Sequence, residues 1–445
     1  MRLEDNPALS AATRESEVVI PVFVFDSELE MPSSKLRSNF LNGALNDLDA
    51  RLREIRSKLL IKQGDSAREL AKIIGSQNAM PVFANAGYSE SSKKSESQVG
   101  KLTQLRLFTG QISIDPSEIS NKNGDPFKVY SAFKRKWEQV DTQKIFKTDY
   151  RRLGFKAGIE SSYDLHADRN SLPRCSTRAH AVRALGAFTE RNGGINRYSD
   201  LRDRVDQHTT SGMSETISLG LIGPNELFEV ANSLRHSSAE NINLGSVNSW
   251  RNQLIWREFF KHSLNHFPES ANQSLNPNLT HIEWINHKED IEAWYEGETG
   301  YPIVDAAMRQ LSEDGWIHNR LRMIVASFLV KDLLVDWRIG ANWFHNKLID
   351  YDSALNSGNW QWVAGTGFDA SPFFRVFNPV LQGRKFDPEG TYVRRWIPEI
   401  KKLPSRVIHS PWELPRPPKN YPSPIIDHAW ARKRVLSVYA DAKSS

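Results

Sequence analysis

Short apolar runs and helical repeats alternate along the N-terminal quarter of the chain. The runs 18–25 and 80–83 have the length and the β-branched or aromatic content of buried strands. Between them, apolar residues recur at helical spacing from 34 to 55, and Asp65 is placed to cap a further helix. This alternation predicts an α/β domain with a parallel, Rossmann-like sheet.

The pattern changes along the rest of the chain. Residues 86–101 are rich in serine and nearly free of apolar side chains, which predicts a surface loop or a mobile helix edge. Past about residue 195, amphipathic helices dominate; the clearest spans 318–337, and another has Pro302 in its first turn and stops at Gly315. The proline-rich C-terminus is expected to wrap the surface in extended form. The second part of the chain is therefore predicted to be all-α.

Composition narrows the class of protein. A chain of 445 residues exceeds one compact core and indicates two or three domains. The apolar fraction is 39%, and no apolar run is long enough to span a bilayer, which excludes an integral membrane protein. A single cysteine, Cys175, excludes an internal disulfide framework and a cysteine metal cage. Without a secretory signal, the cytoplasm is expected, and the net charge of +5 permits a polyanionic partner such as nucleic acid.

Three patterns that suggest dinucleotide or metal binding fail on their context. Residues 365–370 fit the GxGxxA dinucleotide pattern by letter, but no strand leads into them. His262 and His266 have zinc-pair spacing without the glutamate of the HExxH motif. Asp350 and Asp352 could open a calcium loop, yet later positions of that loop lack the required oxygen ligands. No metal site is predicted.

Tryptophan is concentrated in the second half, where 12 of the 13 residues of this type lie beyond position 249. Taken alone, a tryptophan such as Trp256 or Trp337 is best explained as a core filler. On the predicted helix, Asn319 and Met323 share a face, whereas Arg322 points elsewhere and could meet a carboxylate. Several of these residues fall in four unusual strings: WRNQLIWREF at 250–259, TGYPIVDAAMR at 299–309, HNRLRM at 318–323 and WQW at 360–362.

In this order the strings resemble the flavin-binding domain of the photolyase and cryptochrome family, most closely the bacterial-type (class I) enzymes that repair cyclobutane pyrimidine dimers. The resemblance covers essentially the whole chain. It implies an α/β antenna-type domain at 1–128, an interdomain linker at 129–195 and a helical domain at 196–445 that binds FAD and DNA. It further implies light-driven repair by electron transfer from photoexcited reduced FAD to a flipped-out dimer.

The resemblance also assigns roles to residues around the cofactor. Asn356 matches the side chain that faces the flavin N5, and a tryptophan chain carries electrons to the flavin from the surface. The residues of that chain are Trp284, Trp337 and Trp360. The residues that match FAD-binding positions are Tyr198, Thr210, Ser211, Gly212, Met213, Ser214, Trp250, Arg322, Asp350, Asp352 and Asn356.

Substrate residues follow from the same resemblance, because two linked pyrimidines must leave the base stack before they can approach a buried flavin. The residues that match the pocket for the damaged bases are Gln253, Trp256, Asn319, Met323 and Trp362. Four basic residues are expected to contact DNA phosphates: Arg202, Arg257, Arg320 and Arg375. The partner is UV-damaged DNA, with the protein acting as a cytoplasmic monomer, associated with the nucleoid when bound to DNA, and without an obligate protein partner.

The chain departs from the family at the position of a catalytic glutamate. Gln253 stands where dimer-repairing members carry a glutamate that bonds the damaged bases and can donate a proton. Glutamine keeps the hydrogen bonding and loses the titratable group, so less efficient repair is expected. The alternative function is a cryptochrome-type blue-light photoreceptor with weak or no repair activity. An ordinary flavin oxidoreductase is the third hypothesis, and no nicotinamide fingerprint supports it.

The N-terminal region departs as well. The chain opens inside the Leu-x-Asp-Asn motif at residues 3–6, so the sheet is expected to lack its first, central strand. A misassigned start codon is the favoured interpretation, with a compromised α/β domain as the alternative. The family's antenna-related region reads GYSE at 87–90, and Asn272 replaces a basic residue that helps hold a folate. The presence of a folate-type or flavin-type antenna chromophore is left open.

Overall fold

A computed structural model describes residues 1–26, 34–75, 80–155, 158–162, 165, 176–190, 192–237, 242–372 and 374–444. Cys175 lies outside the described residues. None of the helices in these ranges is both long and apolar enough to cross a membrane.

The strands found among the described residues lie in the N-terminal part of the chain and pair in parallel. They are β1 (Val22–Phe25), β2 (Leu60–Gln63), β3 (Val82–Asn85) and β4 (Leu105–Phe108). β1 pairs with β2, and β3 pairs with β4, as two separate two-stranded sheets. No strand among the described residues joins the two pairs. The α/β prediction is confirmed.

Helices account for most of the remaining described structure. The α-helices of the N-terminal part are α1 (Pro7–Glu15), α2 (Lys35–Glu54), α3 (Ser66–Ile74), α4 (Glu90–Leu102), α5 (Tyr130–Trp137) and α6 (Arg178–Thr189). Those that follow are α7 (Tyr198–Leu201), α8 (Ser214–Ser218), α9 (Pro224–Arg235), α10 (Leu244–His266), α11 (Lys288–Glu296), α12 (Pro302–Asp314) and α13 (Asn319–Ser327). The last are α14 (Trp337–Lys347), α15 (Ser353–Ala364), α16 (Pro379–Phe386), α17 (Thr391–Trp396), α18 (Ser405–Ile408) and α19 (His428–Ser444).

The chain divides into two compact units. The first comprises Met1–Asn196 and Ser211–Pro268, and the second comprises Arg197–Thr210 and Glu269–Ser445. In the first unit, leucines of α2 pack with β1 and β2, and α9 packs against α10. In the second unit, α11 to α15 enclose one large apolar core. The predicted domain boundaries stay a prediction, which shares with these units only the division near residue 196.

Helix ends explain which sequence predictions succeeded. α12 begins at Pro302, and Gly315 ends it with a left-handed φ of 67°, as predicted. The single helix predicted over 318–337 is wrong: a π-helical turn follows α13 at Phe328–Asp332, and Asp336 then caps a new helix. A turn of this kind leaves the apolar stripe nearly intact, so the hydrophobic pattern does not report the break.

The structure decides one open interpretation and corrects one prediction of irregular structure. The serine-rich stretch folds from Glu90 as α4, because Ser89 caps its first turn and Val99 supplies its buried contact. The proline-rich C-terminus is extended only in part, because it contains α18 and a 3₁₀ turn at Pro411–Glu413, and α19 begins at His428, beyond the last proline, Pro424. A helix needs only a few buried positions when its caps and its lack of proline favour it.

Candidate functional site

A buried ion pair in the second unit joins two of the predicted FAD-binding residues. The Nη2 of Arg322 on α13 donates to Oδ2 of Asp350 at 2.7 Å, and its Nε donates to the carbonyl of Ile317 at 3.0 Å. The Asp350 side chain is 1% exposed. Its second oxygen, Oδ1, has no hydrogen-bond partner among the described residues. A buried acceptor without a donor is costly, so this atom fits a ligand that brings an N–H group, as a flavin ring does.

The other predicted carboxylate has a local role. Asp352 is the N-cap of α15 and accepts the backbone N–H groups of Ala354 and Leu355. One turn later, Nδ2 of Asn356 donates to the carbonyl of Ala341 on α14 at 3.0 Å. The cap and this hydrogen bond fix the start of α15 and therefore the direction in which its later side chains point.

The predicted electron-transfer tryptophans belong to the same apolar core. Trp337 and Trp360 are almost fully buried in this core. Half-buried Trp284 packs against the same core and lies edge-on to Tyr439 at 6.3 Å. A Cβ at Gly340 would clash with the Trp360 ring. That glycine lies one turn after Trp337 on α14, so it lets the helix carrying Trp337 approach the ring of Trp360 closely.

One contact of Trp360 was not predicted. Its ring meets Trp294 of α11 edge-on at 6.3 Å and Phe344 of α14 at 5.0 Å. Trp294 is fully buried and donates its indole N–H to the carbonyl of Val325. The indole of Trp360 is thus held by aromatic neighbours on two helices.

The substrate residues predicted on α13 are arranged as its helical spacing indicates. Asn319 and Met323 lie one turn apart, with the amide nitrogen 3.8 Å from the sulfur. His318 caps the helix by accepting the N–H of Arg320, and burial lowers the pKa of this histidine to about 4, so it is neutral. Trp362 is half-buried against the core of the second unit. Sequence analysis had assigned no role to His318.

The four predicted phosphate-contacting arginines differ in exposure. Arg375 is exposed, and Arg202 lies 5.8 Å from the ring of buried Tyr198. The side chain of Arg320 is only 13% exposed and binds Asp203 at 2.7 Å. Arg257 is equally enclosed, because its Nη1 donates to the carbonyl of Gln111 and its side chain is 12% exposed. This placement favours structural roles for the last two.

The remaining FAD-binding predictions lie along one segment of the chain. Thr210, in the second unit, is half-buried, as is Ser211 in the first unit, while Ser214 is exposed. Gly212 adopts a φ of 61°, a conformation that favours glycine. Met213 is 3% exposed, so its side chain serves the core of the first unit.

Helix α10 carries the rest of the predicted residues of the first unit. Trp250 is buried edge-on to Phe188 at 5.4 Å. Gln253 and Trp256 are half-buried one turn apart along the helix. The Trp256 ring lies flat against the ring of Tyr130, a contact that sequence analysis did not predict.

Sequence analysis also missed a buried acid on α10. Glu258 is 1% exposed and accepts the backbone N–H of Ser113 at 2.9 Å. Burial raises its pKa from 4.5 to about 7, although Arg257 nearby opposes this. A signal was present in the sequence, because the glutamate is followed by Phe259 and Phe260.

We expect Glu258 to make stability depend on pH. Its raised pKa means that the folded state holds the proton more tightly, so its contribution is complete below about pH 4.5 and is lost as the pH rises through about 7. The loss amounts to at most about 3 kcal/mol. Glu258→Gln should flatten the change in the free energy of unfolding between pH 5 and 8, measured by urea denaturation. Exposed Glu118→Gln is the control, and equal slopes for Glu258→Gln and wild type would contradict the assignment.

No group of three His, Cys, Asp or Glu side chains among the described residues could hold a metal ion. The site described above offers a carboxylate oxygen without a donor, a guanidinium group and aromatic rings. Groups of these kinds suit an organic cofactor.

Comparison with known proteins agrees with this chemistry. The sequence model of DNA photolyase matches residues 1–149, and that of the FAD binding domain of DNA photolyase matches residues 250–441. The chain is 36% identical to a deoxyribodipyrimidine photo-lyase of Agrobacterium fabrum, over 100% of the chain and 97% of that protein. It is also similar to the crystal structure of a bacterial class III photolyase from Agrobacterium tumefaciens, with a TM-score of 0.89 and 36% identity, covering 100% of this chain and 96% of that one. A Synechocystis cryptochrome structure matches with a TM-score of 0.87 and 26% identity, covering 98% and 96% of the two chains. The chain therefore belongs to the DNA photolyase family.

Proposed function

We infer that the protein is a deoxyribodipyrimidine photo-lyase, which splits cyclobutane pyrimidine dimers in DNA when illuminated. The observation that carries this inference is the buried Arg322–Asp350 pair with its unpartnered oxygen, in the segment that the FAD binding domain model matches. Relatives named deoxyribodipyrimidine photo-lyase, aligned over the full chain, support it.

The residues of this chain hold and tune the cofactor. When bound, reduced FAD supplies on illumination the electron that splits the dimer, and it recovers that electron afterwards. Arg322, held in place by Asp350, would offer positive potential to a bound anionic ring, and the Oδ1 atom of Asp350 would be the acceptor for a ring N–H. Trp284, Trp337 and Trp360 serve as electron donors that restore the reduced state.

Recognition of the damage requires flat apolar surfaces and hydrogen-bonding groups. We propose that Trp362 of the second unit stacks on a flipped pyrimidine, and that Asn319 and Met323 of the same unit contact the base edges. Exposed Arg375 and half-buried Arg202 are the basic residues best placed for phosphate. The protein acts as a monomer on cellular DNA, which gel filtration with a dimer-containing oligonucleotide tests.

The decisive experiment illuminates the protein, with its FAD reduced, together with an oligonucleotide that contains one thymine dimer. We expect dimer loss under blue light and none in darkness. Unchanged dimer content after illumination would refute the inference. The absorption spectrum of the same sample reports FAD and any second chromophore.

The second function is a blue-light photoreceptor of cryptochrome type. The family resemblance places Gln253 where dimer-repairing members carry a glutamate, and the fold is similar to that of a Synechocystis cryptochrome; both points favour this function. Light-dependent binding of a protein partner by a chain that leaves dimers intact would establish this function instead.

Replacing Gln253 with glutamate is expected to raise the repair yield. The side chain is half-buried on α10, where a carboxyl group of equal size adds a transferable proton. General acid–base catalysis typically contributes a factor of about 100 to 10,000. We expect a smaller gain here, on the order of twofold to tenfold, because glutamine already supplies the hydrogen bonds. Dimer repaired per absorbed photon is the measurement. Gln111→Glu is the control, and an unchanged yield for Gln253→Glu would show that the proton is not limiting.

A further inference from the structure

The side chain of Tyr130 is stacked on that of Trp256. The two ring centroids are 3.6 Å apart, and the ring planes differ by 7°. Tyr130 is the first residue of α5, whereas Trp256 lies in the middle of α10. A planar indole has two broad faces, and this contact covers one of them over most of its area.

The hydroxyl group of Tyr130 fixes the register of this stack. It donates to the backbone carbonyl of Asn252 at 3.1 Å. Asn252 precedes Trp256 by four residues, so its carbonyl also accepts the helical N–H of Trp256. The tyrosine is therefore tied to the turn of α10 that carries the tryptophan, and the two rings are held relative to one another.

Two further rings limit the edges of the indole. Phe259 meets Trp256 edge-on at 5.6 Å and 83°, and it meets Tyr130 edge-on at 5.9 Å. Phe260 lies tilted against the indole at 5.5 Å. With one face and these edges occupied, half-buried Trp256 keeps at most one face for a ligand.

We propose that Tyr130 is a positioning residue for substrate. It holds the indole plane of Trp256 so that a flipped pyrimidine of the dimer stacks on the face that Tyr130 does not cover. This inference rests on the proposed function. A ring fixed before binding loses less rotational freedom when a base stacks on it, so Tyr130 increases affinity for the dimer without touching it. Since the tyrosine takes no part in bond breaking, the yield of repair once the dimer is bound does not depend on it.

The test compares Tyr130→Leu and Tyr130→Phe in the FAD-containing protein. For Tyr130→Leu, we expect the Kd for a dimer-containing oligonucleotide to rise about tenfold, as the loss of an aromatic pair predicts. Tyr130→Phe keeps the stack and loses only the hydrogen bond to the carbonyl of Asn252, so we expect the Kd to rise roughly threefold. In both variants, dimer repaired per absorbed photon at saturating DNA and Kd for undamaged DNA should match wild type.

Tyr150→Leu, at a partly exposed aromatic residue of the same unit, is the matched control. Wild-type affinity of Tyr130→Leu for the dimer would overturn the proposal, as would an equal loss of affinity for undamaged DNA. If Tyr130→Leu fails to fold, Tyr130→Phe decides alone: a rise in Kd supports the proposal, and wild-type affinity overturns it. The proposed function fails separately, if wild-type protein neither prefers nor repairs dimer-containing DNA.

Discussion

Replacing Trp360 with phenylalanine should slow photoreduction of the oxidised cofactor by more than about tenfold, equivalent to about 1.4 kcal/mol of barrier. Trp360 is buried against α14 at Gly340, which lies one turn after Trp337, and phenylalanine is much harder to oxidise than tryptophan. The measurement is the loss of oxidised-flavin absorbance under blue light with an external reductant. Repair by protein that has been reduced chemically should remain near wild type.

Trp396→Phe is the matched control, because Trp396 is buried in the same core and has no predicted electron-transfer role. Photoreduction of Trp360→Phe at the wild-type rate would remove Trp360 from the electron path. Loss of repair in the chemically reduced Trp360→Phe protein would instead show that the ring is needed to hold the site together.

Replacing Arg322 with leucine should release FAD and lower the free energy of unfolding by about 3 kcal/mol, because a buried carboxylate is left without its partner. The Asp350 side chain is 1% exposed and that of Arg322 is 24% exposed. Because the arginine is partly exposed, we expect the loss of stability to lie at the lower end of the range for buried ion pairs. The measurements are the ratio of flavin to protein absorbance and urea denaturation. The double change Arg322→Leu with Asp350→Asn should recover part of the stability, since no charge is then stranded.

Arg338→Leu provides the control for a surface pair. Arg338 binds Asp336 at 2.8 Å and is 42% exposed, so its loss should cost no more than about 1 kcal/mol. Equal stability and equal FAD content in Arg322→Leu and Arg338→Leu would contradict a special role for the buried pair.

Sequence alone predicted those contacts of the site that depend on helical spacing. Asn319 and Met323 share a face of α13, and Arg322 leaves that face to meet a carboxylate, as a period of 3.6 residues requires. The partner is Asp350, and Asp352 caps α15. An acidic residue just before a helix is the ordinary signature of an N-cap. This signature could have shown from the sequence that Asp352 is the cap and that Asp350 is the partner of Arg322.

Features that depend on distant parts of the chain could not be predicted. The stack of Tyr130 on Trp256 joins two helices that the sequence pattern treats independently. The low exposure of Arg257 and Arg320 could not be predicted for the same reason. Each arginine binds a residue far away in the sequence: Arg257 binds the carbonyl of Gln111, and Arg320 binds the carboxylate of Asp203. The π-helical turn at Phe328–Asp332 was not predicted because it adds a residue to the turn without interrupting the apolar run.

The paired strands of the N-terminal part determine how the stability of this protein has to be measured. Each two-stranded sheet leaves about half of its backbone hydrogen-bonding groups to partners other than a strand, and such short ladders are marginal by themselves. The described residues of the second unit form helices and turns and no named strand. Amide hydrogen exchange at β1 and β3 therefore reports opening at a lower free energy than exchange at α12. Two regions that open separately violate two-state behaviour, so one melting temperature describes neither.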